Sequence, residues 1–343
     1  MVKEELNEAM IWQKERNGIR CLLCGWNCFI AKDKRGYCQV RENKNNKLYT
    51  LNFGKVIASS IQPIEKIGLY HFCPSTNSFS FGSFGCNFFS QFCPSFEIEQ
   101  KLHERTLDQV KFKQYSPDDI VETAEKKGCR TISYNYTEPA VSFEFVFRTS
   151  RLAQRSNIKN VFVTNGYIGE DAVKKITKYL DATVINIKAS TDPEFYEKFM
   201  SIKNAEIIFD TLKQMKKHRV FIEITNLIVP QVGDNLEIGR KLAEYISNEL
   251  GSDIPYHILQ FHPTPNLQLP PTPVATLEKF ADEARKIGLR YVYIGNVPGH
   301  EENTYCHNCR EVLIQRKAGI VKKIKLVRDR CPNCDFSIKI VNE

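Results

Sequence analysis

NVFVTNGYIGEDAVKKITKYLDATVINIK, residues 160–188, reads as a strand, a helix and a second strand. The outer runs, NVFVTNG (160–166) and ATVINIK (182–188), are nearly continuous in apolar side chains, as strands covered on both faces are. GEDAVKKITKYL (169–180) between them is an amphipathic helical run. The same alternation extends from about residue 77 to 296. Further strand candidates are SFSFGS (78–83), RTISYNY (130–136), VFIEITNLIV (220–229), YHILQF (256–261) and RYVYIG (290–295). Helix candidates are SPDDIVETAEKK (116–127), DNLEIGRKLAEYISNEL (234–250) and TPVATLEKFADEARKIG (272–288). The first has Ser116 as N-cap and Pro117 at its first helical position, and the last opens Thr-Pro and ends at Gly288.

Strand–helix alternation argues for an α/β fold, a parallel sheet with helices outside. No G-x-G-x-x-G follows any strand, so the six or seven units predict a closed or partly closed (β/α) barrel in preference to an open doubly wound sheet. Chemistry in a barrel collects at the C-terminal ends of the strands. That rule marks residues 85–93, 135–138 and 164–166, together with Asn186, Lys188 and His262.

Twelve cysteines in a 343-residue chain are many for a reducing compartment, where disulfides rarely persist, and their clustering points to metal. Cys306-x2-Cys309 and Cys331-x2-Cys334 flank two short strand-like runs around Ala318-Gly319. Two such knuckles complete a tetrahedral four-sulfur shell, the pattern of structural zinc, with His307 a bystander. Cys21, Cys24, Cys28 and Cys38 form a second group, C-x2-C-x3-C-x9-C, for which zinc is the first choice and an auxiliary iron–sulfur cluster the rival. Neither group offers an open coordination position. Cys73 and Cys129 stand apart and read as small buried hydrophobes.

With 42% hydrophobic and 26% charged residues the chain is an ordinary globular protein. Residues 1–18 predict a charged amphipathic helix with Leu6, Met10 and Ile11 on one side. No apolar segment follows it and no apolar run reaches 18 residues, so neither a secretory signal nor a membrane span is expected, and the expected location is the cytoplasm. The net charge of +8 gathers in residues 310–330, a stripe read as a solvated ribbon face. The absence of an RNA-binding motif disfavours a nucleic-acid partner.

The motifs PIEKIGLYHFCP (63–74), SFSFGSFGCN (78–87), YNYTEPAVSFEF (134–145), VFVTNGYI (161–168), DATVINIKAS (181–190) and HILQFHPTP (257–265) follow in order, with both cysteine groups around them. Together they resemble the radical S-adenosylmethionine enzymes of the AmmeMemoRadiSam system, relatives of pyruvate formate-lyase-activating enzymes. The resemblance implies a partial (β/α)6-type, TIM-like barrel over residues 77–299. It also implies an N-terminal helix and four-cysteine module over 1–76 and a C-terminal zinc ribbon over 300–343. It further implies a [4Fe-4S] cluster on C-x3-C-x2-C, S-adenosylmethionine at the open iron, an electron donor, and hydrogen abstraction from a protein or small-molecule substrate. Carried over by position, Cys86 and Cys93 are cluster ligands, while Glu138, Asn165, Asn186, Lys188 and His262 line the cofactor pocket. Ser90 stands where the central cysteine belongs, Pro94-Ser95 where Gln-Asn is usual, and Asn186 where an acidic residue is usual. Two readings follow: an active enzyme with an altered ligand set, in which Cys73 replaces Ser90 if its segment turns back on the loop, or a zinc-stabilised scaffold without the cluster.

Overall fold

The computed structural model describes residues 7–90, 92–93, 100, 102–104, 109–300 and 302–342. Its framework is a nine-stranded sheet. Its parallel strands follow one another in chain order: β1 (Asn77–Ser83), β2 (Thr131–Tyr134), β3 (Lys159–Thr164), β4 (Ala182–Lys188), β5 (Phe221–Ile228), β6 (Tyr256–Gln260) and β7 (Val292–Gly295). Helical crossovers join successive strands: α1 (Pro117–Lys126), α2 (Phe143–Arg155), α3 (Glu170–Ile176), α4 (Pro193–Met200) with α5 (Glu206–Lys217), α6 (Leu236–Tyr245) and α7 (Val274–Ile287). Among the described residues the sheet does not close. The outer edge of β1 is taken by the antiparallel strand Lys55–Pro63, and β7 ends the other side. The fold is therefore a partial barrel, and residue 76 falls between two strands of one sheet.

Period-two alternation sorts the two faces. Ile185 and Ile187 of β4 join the core beneath the helices, whereas Ala182 and Val184 join Val161, Val163 and Phe221 on the inner face. Ile64, Ile67, Leu69 and Phe72 fill that inner face near the N-terminal ends of β4 and β5. Cys73 belongs to this plug and is buried, at the opposite end of the strands from residue 90. It does not replace Ser90, because the apolar plug has fixed its segment elsewhere.

Local chemistry explains most element ends. Ser116 and Asp119 form a reciprocal capping box at α1, and Gly288 ends α7 in the left-handed conformation at φ 111°. Thr272 does not cap α7, as its Thr-Pro sequence suggested. Its buried hydroxyl instead donates to the Ile228 carbonyl (2.6 Å) and accepts from the Phe261 amide (3.0 Å), tying β5 to the end of β6.

The expected N-terminal helix is absent from residues 7–15; its first six residues lie outside the described ones. Asn7–Glu8 pairs with the strand Lys47–Thr50, and Trp12–Glu15 pairs with Gly18–Cys21 across a two-residue turn holding Asn17 at φ 81°. Asparagine tolerates that left-handed geometry, so the turn selected a hairpin over the weak helical pattern. Arg41 of the strand Arg41–Lys44 anchors this module to the barrel. Its guanidinium meets the Glu144 carboxylate of α2 at 2.7 Å with both side chains buried, and it donates to the Val141 carbonyl (3.0 Å).

At the C-terminal end, Val312–Lys317 and Ile320–Ile324 pair around Ala318-Gly319 as the sequence suggested. One cation of the basic stripe leaves the surface. Arg316 is buried, donates to the Tyr70 carbonyl (2.6 Å) and the Thr304 hydroxyl (2.7 Å), and lies over the Tyr70 ring at 4.3 Å. Beneath it the buried Glu223 carboxylate accepts from the Tyr70 and His71 amides and meets His257 Nε2 at 2.7 Å. His71 Nε2 lies 2.7 Å from the Tyr293 hydroxyl, which reaches Thr304.

Burial lowers the His71 pKa from its ordinary 6.5 to about 4, against the pull of nearby Glu223. On acidification the unfolded chain therefore takes up this proton before the folded one. The His71 contribution is complete above pH 6.5 and is lost between about pH 6.5 and pH 4, about 3 kcal/mol in all. Urea unfolding of the wild type and of His71→Gln at pH 7 and pH 5 should show the larger acid loss in the wild type. Equal losses would remove His71 as the cause.

Candidate active site at the strand ends

The C-terminal ends of β1 to β4 converge through the carboxylate of Glu138. This side chain is buried and accepts from the Ala140 amide (3.0 Å), the Thr164 hydroxyl (2.7 Å) and the Asn165 amide (2.9 Å). Burial raises its pKa and those bonds oppose the rise. Asn165 carries the connection onward. Its Nδ2 donates to Asn87 Oδ1 (2.7 Å), its Oδ1 accepts from the Tyr167 amide (2.9 Å), and Asn87 Nδ2 returns to the Tyr167 carbonyl (3.0 Å). The loop that follows β1 is thereby fixed to the end of β3. That loop leaves the strand at Gly85, whose φ of 101° and close approach to Val40 (2.8 Å from an added Cβ) exclude a side chain.

Cys86 and Cys93 are half-buried and Ser90 is buried, with the Cys93 amide donating to the Ser90 carbonyl (3.0 Å). Pro94 and Ser95 lie outside the described residues. From β4, Lys188 comes within electrostatic reach of Cys93, Cys86 and Glu138. Burial lowers its pKa and those three groups oppose the fall. Its Nζ donates to the Asn186 carbonyl (3.3 Å), while the Asn186 side chain accepts from the Thr225 hydroxyl of β5 (2.6 Å). His262 stands apart on the rim, exposed, with Nε2 3.3 Å from the Asn296 carbonyl.

Sequence reasoning did not single out Asn87, Trp26 or Tyr37. Trp26 Nε1 donates to the Asn87 carbonyl (2.7 Å), and its ring stacks on Tyr37 at 3.9 Å. An asparagine beside a cysteine and two separated aromatics carry no spacing signal. Only Asn87's place next to Cys86 in the loop hinted at it.

The two four-cysteine groups differ in geometry. Cys306, Cys309, Cys331 and Cys334 bring all four Sγ atoms within 4.8 Å of one another, with 3.6 Å for both Cys306–Cys334 and Cys309–Cys331. This is a metal-binding arrangement, and His307 lies exposed outside it. Cys21, Cys24, Cys28 and Cys38 line one chamber, yet no three of their Sγ atoms come that close among the described residues. Burial raises the first three thiols and pushes Cys38 up to about 12. Gly25 lets this knuckle dock on the barrel, since an added Cβ would lie 2.4 Å from Ile207 and 2.5 Å from the Tyr167 ring. Cys129 is buried away from any such group.

The profile of the Radical SAM superfamily matches residues 81–246. The chain is 41% identical over 341 residues to an uncharacterized protein of Methanocaldococcus jannaschii, covering 98% of this chain and all of that one (100%). It is 26% identical over 118 residues to the (2S)-3-sulfopropanediol dehydratase activating enzyme of Klebsiella oxytoca, 34% of this chain and 36% of the relative. Among solved structures, a radical SAM methyltransferase from Sphaerobacter thermophilus aligns with a TM-score of 0.49 at 13% identity, covering 66% of this chain and 67% of the other. Among the described residues, no helix is long and apolar enough to cross a membrane.

Glu138→Gln would turn an amide NH2 toward N–H donors that now meet a carboxylate. The expected loss is about 1–3 kcal/mol in urea unfolding, accompanied by faster hydrogen exchange at Asn165. An unchanged midpoint would show that the carboxylate does not brace the strand ends.

Proposed function

The chain belongs to the radical SAM superfamily, and we propose that it binds S-adenosylmethionine at its strand ends beside a [4Fe-4S] cluster, for hydrogen abstraction from a substrate. The observation that carries this reading is the gathering of Cys86, Cys93, Glu138, Asn165 and Lys188 from separate strand ends of one sheet. When bound, the cluster supplies the electron that cleaves the cofactor's sulfonium to a 5′-deoxyadenosyl radical.

The chain's own residues hold and orient. Cys86 and Cys93 supply two thiolates, and the Lys188 ammonium offsets their negative charge. Ser90 occupies the place between them and offers a hydroxyl that is roughly five units weaker as an acid than a thiol, about 6–7 kcal/mol at the cost of ionising it. The donor set thus fits the cluster with one weak member. Asn165 and Asn186 would line the cofactor's side of the pocket, and the Glu138 carboxylate would hold the strand ends that frame it. His262 guards the rim.

The likeness to an activating enzyme favours a protein substrate, and the ordered motifs favour the AmmeMemoRadiSam branch. We assign the C-terminal four-cysteine group to structural zinc, since four thiolates close a tetrahedral shell with no open position. The abundance of free thiols suits a reducing cytoplasm. A second reading, a barrel that binds without catalysis, rests on Ser90 in place of the central cysteine, with Pro94-Ser95 and Asn186 as further departures.

Anaerobically reconstituted protein with S-adenosylmethionine and a strong reductant should release 5′-deoxyadenosine, detected chromatographically. Ser90→Cys should raise both that yield and the cluster occupancy by about tenfold or more, and Cys86→Ala should abolish them. No product from either the wild type or Ser90→Cys would sink the enzymatic reading and leave the scaffold. In the C-terminal ribbon, Cys309→Ser should lower bound zinc by one ion per chain, measured by elemental analysis; unchanged zinc would refute that assignment.

A further inference from the structure

A sheet edge with unpaired backbone invites pairing with another chain, and folds guard such edges with bulges, prolines and lysines. At one side of the main sheet the strand Lys55–Pro63 has a register irregularity between Val56 and Ala58, ends in Pro63 and is partly covered by Lys113–Gln114. The ribbon's outer strand Ile320–Ile324 carries Lys322 and Lys323 and faces a register irregularity between Gln315 and Arg316. β7, at the other side of the main sheet, has no such guard. Val292–Gly295 holds neither proline nor lysine and pairs with β6 in unbroken register.

The outward backbone groups of β7 lack partners. The Tyr256 amide donates to the Tyr291 carbonyl (2.9 Å), so Tyr291, Tyr293 and Gly295 turn their backbone to β6, while Val292 and Ile294 turn theirs away. Arg285 Nη2 donates to the Val292 carbonyl (3.3 Å). Among the described residues nothing bonds the Val292 amide or the Ile294 amide and carbonyl, although Ile294 is buried at 4%. Buried backbone donors and acceptors are nearly always satisfied.

A groove of about 520 Å³ lies along this edge, with His300, Tyr305 and Arg310 on its other wall. Its charge has one sign. Arg285, Arg290 and Arg310 line it with His300 and His307, and no carboxylate of a described residue does. Asp282 and Asp253, which do not line it, meet Arg285 (3.1 Å) and Arg290 (2.8 Å). Arg310 lies over the Tyr305 ring at 5.6 Å and has no ion pair among the described residues.

We propose that the edge of β7 binds an extended acidic segment of a partner protein, which pairs with Val292 and Ile294 and sets its carboxylates against the arginines. Strand addition of this kind takes affinity from main-chain hydrogen bonds and specificity from the flanking side chains. At about 3.3 Å per residue the four residues of β7 offer about 13 Å of edge. A second copy of this chain fits poorly, because a two-fold pairing of edges brings the three arginines against their own counterparts. A nucleic acid would meet the arginines but carries no alternating amide and carbonyl for the strand. The assignment concerns binding alone and does not depend on the chemistry proposed for Cys86 and Cys93.

The test is selection of random phage-displayed peptides on the full-length protein, followed by binding measurements with the strongest peptide made synthetically. The selected peptides are expected to be net acidic, and the synthetic one should slow hydrogen exchange across residues 292–294. N-methylation of alternate peptide amides should abolish binding in one register and spare it in the other. Arg310→Glu should weaken binding by about tenfold or more. If that variant does not fold, the N-methylated series and the exchange data on the wild type decide the matter. Selection of no peptide, or of peptides without acidic bias, overturns the proposal. So does binding that leaves exchange at 292–294 unchanged. Protection of those residues by raised protein concentration alone, or by polyuridylate in place of the peptide, overturns it in favour of a second copy or a nucleic acid.

Discussion

The carboxylate of Glu138 is the joint on which the strand ends depend. It accepts from Ala140, from Thr164 and from Asn165. Through Asn165 and Asn87 the constraint reaches the loop that carries Cys86 and Cys93. A buried carboxylate satisfied by three donors has one comfortable geometry, and any shift strands polar groups away from water. The ends of β2 and β3 and the loop after β1 are therefore held as one unit. Lys188 of β4 brings a cation within electrostatic reach of Glu138, Cys86 and Cys93.

Two further buried charged contacts fix the small modules to the barrel. Arg41 and Glu144 join the N-terminal hairpins to α2, and Arg316 joins the C-terminal ribbon to the segment at Tyr70 above Glu223. Such contacts contribute little net stability beyond what apolar packing would give, but breaking one partner leaves a charge unpaired in a dry site. Their effect is positional. The N-terminal cysteines are held against the strand-end loop through Trp26 and Tyr37, and the ribbon covers the opposite region of the inner face.

Ser90 puts an oxygen donor between Cys86 and Cys93 in the loop after β1. It is buried, and its carbonyl receives the Cys93 amide. What differs is donor softness and acidity. An oxygen that resists ionisation is a poor match for iron in a sulfur-rich site, and Cys73, sealed in the plug at the far end of the strands, cannot compensate.

The sequence by itself determined the parallel α/β architecture, because buried strands and amphipathic helices have periods that local composition reports directly. It also determined the C-terminal metal knuckles, whose four ligands lie on two tight turns. The hairpin at residues 7–21 escaped it, since strand pairing and a left-handed Asn17 overrode a faint helical pattern. So did Asn87 and the role of Thr272, which arise from contacts between segments far apart in the chain. Only the tertiary structure separated the two four-cysteine groups. Spacing along the chain records which thiols can meet; packing decides how near to one another they are held.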